Sequence, residues 1–353
     1  METQLIPIIL AGGKGERFWP VSRLKRPKQF LCFDDSGRSL LQSTADRLLN
    51  LAGGWDNLWV ITSEIIADGV KEQLPDLPES NILIEPQGRD TAPAVAWATL
   101  EVANKYSEDA IVGFFPADHW IGDTMAYEKT LQAAVQQAVA EASIVTLGIK
   151  PDQPATGYGY IEQGDKQADF NDLPVYKVTR FTEKPDTTTA QSFIDTGKFS
   201  WNSGMFIFKA GVVLDELKKY APQLINLLLE KGRDAYAELE KESIDYALME
   251  KTQLARVLPA NFGWDDLGDW NGVERLLKGD RDNVELGTHI GKDTHDAIIY
   301  TSDRDEVVVT IGLKDVVIVR DGKVTLVVDK DHTQDIKQVV KSLHDKPDLK
   351  HLL

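Results

Sequence analysis

Six basic residues crowd one glycine-rich turn near the start of the chain. Lys14, Arg17, Arg23, Lys25, Arg26 and Lys28 fall within fifteen positions, opposed by a single acid, Glu16. Gly12, Gly13 and Gly15 follow an apolar run, Ile6-Pro-Ile-Ile-Leu10, that reads as a buried strand. Glycines let a backbone turn sharply and bring its N–H groups close to a ligand. Clustered cations beside such a turn suit phosphate oxygens. Two common phosphate loops are excluded by spacing: the third glycine of G-x-G-x-x-G would fall on Phe18, and G-x-x-x-x-G-K-[ST] is absent. A solvated surface turn is the alternative. Against it stand Pro20 and Pro27, which pin the segment, and the acidity of everything around it.

That acidity is pronounced: 56 acids against 39 bases give a net charge of -17 over 353 residues. Broad binding to nucleic acid or to a membrane surface is disfavoured. A small polyanionic substrate would need a locally basic pocket, which the opening turn offers. The length suits two domains. The one cysteine, Cys32, allows no intrachain disulfide and reads as core packing beside Phe30 and Leu31. The N-terminus is acidic and its apolar run too short for a signal peptide. No run approaches the roughly 18 apolar residues of a membrane span. A cytoplasmic protein is expected.

The elements that must position these residues alternate. Strands are predicted at 57–62, 81–85, 109–115 and 143–148, and helices at 39–50, 65–73, 91–106 and 124–142. Such alternation implies a mostly parallel sheet covered on both faces. Ligands then sit beyond the carboxyl ends of the strands, so the loops after Leu10, Glu85 and Phe115 should line one crevice. Further on, 157–161 and 176–185 read as strands of a mixed layer and 187–197 as a helix. Residues 201–208 read as a loop becoming a strand, 212–230 and 234–250 as one helix each, and 253–259 as a strand. Near residue 280 the composition changes. Short β runs at 307–311, 316–319 and 324–328, broken by Gly312, Asp321 and Gly322, predict a small β domain ending in a helix over 332–344.

Two aspartates stand at strand ends. Asp118 lies in Pro116-Ala-Asp-His119 and Asp266 in Trp264-Asp-Asp-Leu-Gly268. Each suits a hard divalent cation, and each also suits a turn or helix cap.

The stretch from Gly12 to Phe30 has the form G-G-x-G-x-R-x-W-P-x-S-R-x-x-x-P-K-Q-F. In that form it resembles the nucleotide-sugar pyrophosphorylases, and among them the mannose-1-phosphate guanylyltransferase branch. Through several motifs the resemblance spans roughly residues 4 to 275. It implies a Rossmann-like α/β nucleotidyltransferase domain, glycosyltransferase A-like, with a mixed central sheet over 1–280. It also implies a small C-terminal β domain over 281–353, left-handed β-helix-like. The implied reaction converts GTP and mannose 1-phosphate to GDP-mannose and diphosphate, with Mg²⁺ on Asp118 and Asp266. Asp266 is preferred to Asp265 because it fits W-x-D-x-G. Arg17 would contact the leaving phosphates and Lys28 would lie near the phosphate under attack. Leu10, Ala11, Gly12, Gly13, Lys14 and Gly15 would bind the nucleotide with Glu85, Pro86, Gly88 and Thr91. Asp90 stands where many relatives have Asn. Gly159, Glu183, Lys184 and Asn202 would hold the sugar phosphate. His119 reads as structural, because a phosphate nucleophile is already ionised at neutral pH. A homodimer through the C-terminal domain is a further implication. The chain ends too early for the isomerase domain fused in many relatives, so a single activity is expected. Rival readings are a relative acting on another sugar phosphate or nucleotide, and a non-catalytic sugar-nucleotide sensor on the same fold.

Overall fold

Short apolar runs separated by amphipathic helices build the first layer. In a computed structural model, which describes residues 4–353, these are β1 (Leu5–Ala11), α1 (Leu40–Ala52), β2 (Trp59–Ser63), α2 (Ala67–Gln73), β3 (Ile82–Glu85), α3 (Thr91–Lys105) and β4 (Ile111–Pro116). The four strands are parallel in the order β3-β2-β1-β4. β1 is buried along almost its whole length, as a central strand covered on both faces should be. Local chemistry sets the helix ends. Ser39 and Gln42 form a reciprocal capping box at the start of α1, and Gly53, at φ 66°, ends it.

The chain continues through β5 (Trp120–Ile121), α4 (Thr124–Ala140), β6 (Ile144–Ile149), β7 (Tyr160–Phe170), β8 (Leu173–Thr182), α5 (Thr187–Thr196) and β9 (Phe199–Lys209). Then come α6 (Ala210–Tyr220), α7 (Pro222–Lys231), β10 (Ala255–Ala260), β11 (Trp264–Asp265) and α8 (Trp270–Leu277). The full sheet has nine strands in the order β3-β2-β1-β4-β9-β6-β10-β8-β7. β9 runs antiparallel between β4 and β6, so the sheet is mixed.

Three predicted segments differ. Trp201 lies inside β9, paired with both Ile149 and Tyr160, and no loop precedes it there. The helix predicted over 212–230 breaks at Ala221 because Pro222, lacking an N–H, starts α7. The helix predicted over 234–250 is replaced by a 3₁₀ turn (Gly232–Ala237) and a π turn (Asp245–Met249). Its backbone is engaged elsewhere. Arg89 donates to the Tyr236 carbonyl at 2.9 Å, and Ala92 N–H donates to the Glu242 carbonyl at 3.1 Å.

The last part holds β12 (Val284–Leu286), β13 (Thr288–Lys292), β14 (Ile298–Thr301), β15 (Val307–Ile311), β16 (Val316–Asp321), β17 (Val324–Asp329) and α9 (Ile336–Leu343). β12, β14 and β16 stack in parallel, β17 closes that sheet antiparallel, and β13 pairs in parallel with β15 as a second face. This is β-helix-like. It packs on the N-terminal part through one shared core, in which Val284, Ile298, Val317, Ile336 and Val340 meet Phe18, Trp19, Phe33, Leu267 and Trp270. Trp270 is fully buried, with ring centroids 5.3 Å from Phe18 and 5.5 Å from Tyr300. Trp270→Ala should therefore lower stability by about 3–5 kcal/mol. Both parts should melt in one transition, measured by urea unfolding followed by fluorescence and circular dichroism.

Candidate active site

The loops after β1, β4 and β11 converge on one side chain. Lys28, itself buried, places Nζ 2.7 Å from Asp118 Oδ2. It also donates to the Asp266 carbonyl at 2.6 Å and the Leu267 carbonyl at 3.0 Å. An ammonium has three N–H donors, and these acceptors occupy all of them. Gly15 makes the approach possible. It sits at φ 62°, and a Cβ there would fall 2.3 Å from Lys28 Cβ. The Gly15 carbonyl accepts from Ser22 Oγ at 2.7 Å, which closes the turn.

Around this contact lies a crevice of roughly 360 Å³ lined by Lys14, Gly15, Arg17, Lys28, Asp118 and Asp266. Asp266 Oδ1 accepts from Tyr158 Oη at 2.6 Å and from Gly268 N–H at 3.1 Å. Its neighbour Asp265 is turned away, forked onto Arg275 at 2.8 and 3.0 Å. Burial disfavours the charged form of Asp118, but the Lys28 ammonium and its hydrogen bond, helped by neighbouring His119 and a backbone N–H, outweigh this and lower its pKa. Burial pushes the His119 pKa down, and its Nδ1 accepts from Trp264 Nε1 at 3.1 Å. A neutral, packed histidine is the outcome. Arg17 Nε is buried without a partner among the described residues. Lys14 is largely exposed, 3.9 Å from Glu16.

Two carboxylates on one crevice are a donor set for a hard cation. Among the described residues no group of three or more His, Cys, Asp or Glu could enclose an ion. The arrangement fits a divalent ion that completes its shell with phosphate and water.

On the β3 side, the Ala11 carbonyl accepts from Thr62 Oγ1 at 2.9 Å and the Leu10 carbonyl from Ala117 N–H at 3.0 Å. Both carbonyls are thus engaged within the fold, whereas Gly12 and Gly13 are open. Only Glu85 Oε2, at 3.9 Å, lies near the place of a Cβ on Gly12, and nothing is near Gly13. Glu85 is buried, its Oε1 has no hydrogen-bond partner among the described residues, and desolvation raises its pKa to about 7. Pro86 and Gly88 follow in the same loop, and space is open at Gly88. Thr91 is drawn into structure, since its hydroxyl accepts from Ile244 N–H at 2.8 Å. Asp90 sits at φ 69° and its carboxylate accepts from Thr91 N–H, capping α3.

The third group sits where β7, β8 and β9 meet. A Cβ on Gly159 would fall 2.6 Å from Glu183 Oε2. The Gly159 carbonyl accepts from Asn202 N–H at 2.8 Å. Lys184, at φ 43°, is exposed and pairs with Glu183. Asn202 Nδ2 donates to Asp245 Oδ1 at 2.9 Å. Asp245 went unsuspected in the sequence, because its segment reads as a plain amphipathic helix. Burial first, and then the Glu183 charge, raise its pKa to about 6. Tyr158, next to Gly159 in the chain, links this group to Asp266, and the approach of Glu85 to Gly12 joins the second loop to the glycine turn.

Known proteins resemble this chain along nearly its whole length. The family model described as Nucleotidyl transferase matches residues 6–282, and one described as MannoseP isomerase/GMP-like beta-helix domain matches 287–343. The mannose-1-phosphate guanylyltransferase of Escherichia coli K12 is 37% identical over 99% of this chain and 75% of its own. The alginate biosynthesis protein AlgA of Pseudomonas putida is 37% identical over 97% of this chain and 72% of its own. A crystal structure described as mannose-1-phosphate geranyltransferase from Thermus thermophilus superposes with a TM-score of 0.88 at 33% identity, covering 98% of this chain and all of that one. With a glycine turn, a basic cradle and paired carboxylates on one wall, and these matches from end to end, the chain belongs to the nucleotidyl transferase family, among the mannose-1-phosphate guanylyltransferases.

Proposed function

We propose that this crevice joins GTP to mannose 1-phosphate with Mg²⁺, releasing diphosphate and leaving GDP-mannose. The observation that carries the assignment is Lys28, which binds the Asp118 and Asp266 loops together beneath a basic turn. An oxygen of the sugar phosphate attacks the α-phosphorus, the bond to the β-phosphate oxygen breaks, and diphosphate departs in line with the attack. No general base is needed, since the attacking phosphate is already ionised. Asp118 and Asp266 would hold Mg²⁺, which would supply charge neutralisation and a template for the phosphates.

The chain's own groups do the rest. The open Gly12–Gly13 turn lets backbone approach the nucleotide. Arg17 and Lys14 take phosphate charge. Lys28 fixes the two carboxylate loops and offsets charge that develops on the α-phosphate. The unpartnered Glu85 Oε1 is an acceptor for a purine edge that carries donors, as the N1–H and 2-amino group of guanine do. Pro86, Gly88 and Thr91 shape that pocket. Glu183 and Asn202 meet sugar hydroxyls beside Gly159, and Lys184 meets the sugar phosphate. Residues 1–280 would hold this machinery and 281–353 the β-helix-like part. A second copy of the chain would cover the outer face of β13 and β15. There Ile290, Val307, Val309 and Ile311 are each more than half exposed on paired strands, an apolar face of the kind that marks an interaction site. The net charge of -17 supports small phosphorylated partners over nucleic acid. Among the described residues no helix is long and apolar enough to cross a membrane, and we assign the reaction to the cytoplasm. A chain that preferred another nucleotide or sugar would use the same wall. Mg²⁺-dependent diphosphate release from GTP, compared with the other nucleoside triphosphates and across sugar 1-phosphates, separates the two.

Asp118→Ala and Asp266→Ala should abolish turnover while the fold persists. Lys28→Ala should lower kcat about a hundredfold or more with a smaller change in the KM for GTP. Wild-type diphosphate release by either aspartate variant would refute the metal assignment.

Glu85 gives a pH test. Its folded pKa, about 7, lies above the usual carboxyl value. The stability tied to its proton is complete below about pH 4.5 and is lost as pH rises through 7. Glu85→Gln should therefore gain stability over wild type between these limits and hold the gain above them. The gain should be on the order of 3 kcal/mol at most, read from urea midpoints at pH 4.5 and pH 8. At the outer face, Val309→Glu should convert a sedimenting dimer to monomer.

A further inference from the structure

We propose that Lys337, carried by α9 of the β-helix-like part, binds the outermost phosphate of the nucleoside triphosphate and then the released diphosphate. This rests on the triphosphate lying in the crevice as proposed above. Lys337 lines that crevice together with Arg17, Lys28, Asp118 and Asp266. Among the described residues it is the one cation on the wall that comes from the C-terminal part of the chain.

Its backbone is fixed from two directions. Ile336, Val340 and Leu343, spaced i, i+4 and i+7, are buried with Phe18 and Trp19, so one face of α9 is locked onto the basic turn. Just before the helix, Thr333 Oγ1 donates to Asp269 Oδ2 at 2.9 Å, and Asn271 Nδ2 donates to the Lys330 carbonyl at 3.0 Å. Those bonds tie the helix start to the loop that carries Asp266. Lys337, next to Ile336 but off the buried face, is thereby directed into the space between the two loops.

The local charges show the need. Lys28 is engaged by Asp118, and Lys14 stands near Glu16. Among the described residues Arg17 and Lys337 are the crevice cations with no carboxylate within 4.0 Å. A triphosphate brings up to about four negative charges, more than Arg17 and one divalent ion offset. Position selects which phosphate. In-line displacement puts the attacking and leaving groups on opposite sides of the α-phosphorus. The sugar group at Gly159, Glu183 and Asn202 occupies one side. α9 lies against the Glu16–Phe18 turn, and the crevice lining that includes Lys337 holds none of Gly159, Glu183 and Asn202. Lys337 therefore faces the leaving diphosphate, and the β-helix-like part completes the active site.

The test is steady-state kinetics in both directions on the full chain. Lys337→Ala should raise the KM for diphosphate in the reverse reaction about tenfold or more, as loss of a charge-assisted contact does. The KM values for GDP-mannose and mannose 1-phosphate should stay within about twofold, and Lys337→Arg should recover most of the loss. Lys341→Ala, one turn further along the same face of α9 but outside the crevice lining, should behave as wild type. Arg17→Ala is the reference for the phosphate end. If Arg17→Ala weakens diphosphate and Lys337→Ala does not, Lys337 is a surface residue and the inference fails while the site stands. If neither does, the crevice assignment falls as well. If all substrate KM values move together, or arginine fails to rescue, Lys337 acts only through structure and the inference is overturned.

Discussion

A single buried ammonium holds the active crevice in one shape. Lys28 reaches an aspartate after β4 and two carbonyls after β11 from a turn that follows β1. These three loops are remote in sequence; the short β5–β11 pairing brings the two aspartate loops side by side, and Lys28 ties the turn after β1 to both. Leaving such a charge buried without partners would cost several kcal/mol, so the loops are held where all three acceptors stay within bonding distance. Gly15 is part of the same constraint, because any side chain there would collide with Lys28 itself. A network of this kind is fully satisfied or strongly unfavourable, with little between, which is what fixes two carboxylates before substrate arrives.

The sign of the crevice is a short-range property. A chain with a net charge of -17 repels a triphosphate from a distance. At physiological salt, however, charges beyond about 8 Å are largely screened. What an incoming phosphate meets is the local set, Lys14, Arg17, Lys28 and Lys337 against Glu16, Asp118 and Asp266. Within that set Lys28 and Asp118 compensate each other, and a divalent ion would shift the balance further toward positive. The acidic surface elsewhere keeps other polyanions, such as nucleic acid, from competing for the same cations.

Much of this was legible from residue types. The β1 run, the turn at Gly12 to Gly15, and Asp118 and Asp266 at strand ends place the phosphate end of the site, because each depends on short-range spacing. The insertion of β9 between β4 and β6 was not legible, since its hydrophobic run carries no mark of which strands it will join. Pro222 was visible, yet the apolar periodicity on either side of it reads through the break. The segment from Tyr236 to Ile244 resembles a helix because its buried residues recur at helix-like intervals. Its backbone groups instead answer Gln87, Arg89 and Ala92 across the molecule. Asp245 follows directly on that segment, and its contact with Asn202 has no local signature. Lys337 was invisible for another reason: an exposed lysine on an amphipathic helix has no local signature, and only packing reveals what it faces.

The C-terminal part acquires its purpose from how little core it owns. Between its two sheets only Ala297, Ile299 and Ile318 form a buried cluster of their own among the described residues. The remaining inward residues, among them Val284, Ile298, Val317 and Val319, belong to the core shared with Phe18, Trp19, Leu267 and Trp270. A unit of this size with so small a private core does not offset its own chain entropy. It is ordered by the N-terminal part and in return buries the aromatic side of the two loops that carry the chemistry. Arg23 paired with Asp321 at 3.0 Å, and Trp19 Nε1 donating to the Leu352 carbonyl at 2.8 Å, add polar ties across the same boundary. The basic turn is therefore gripped on both sides, by Lys28 and its acceptors toward the crevice and by this shared core behind it. The glycine-rich loop is a packed anion cradle because the β-helix-like part and the loop bury each other's apolar side chains.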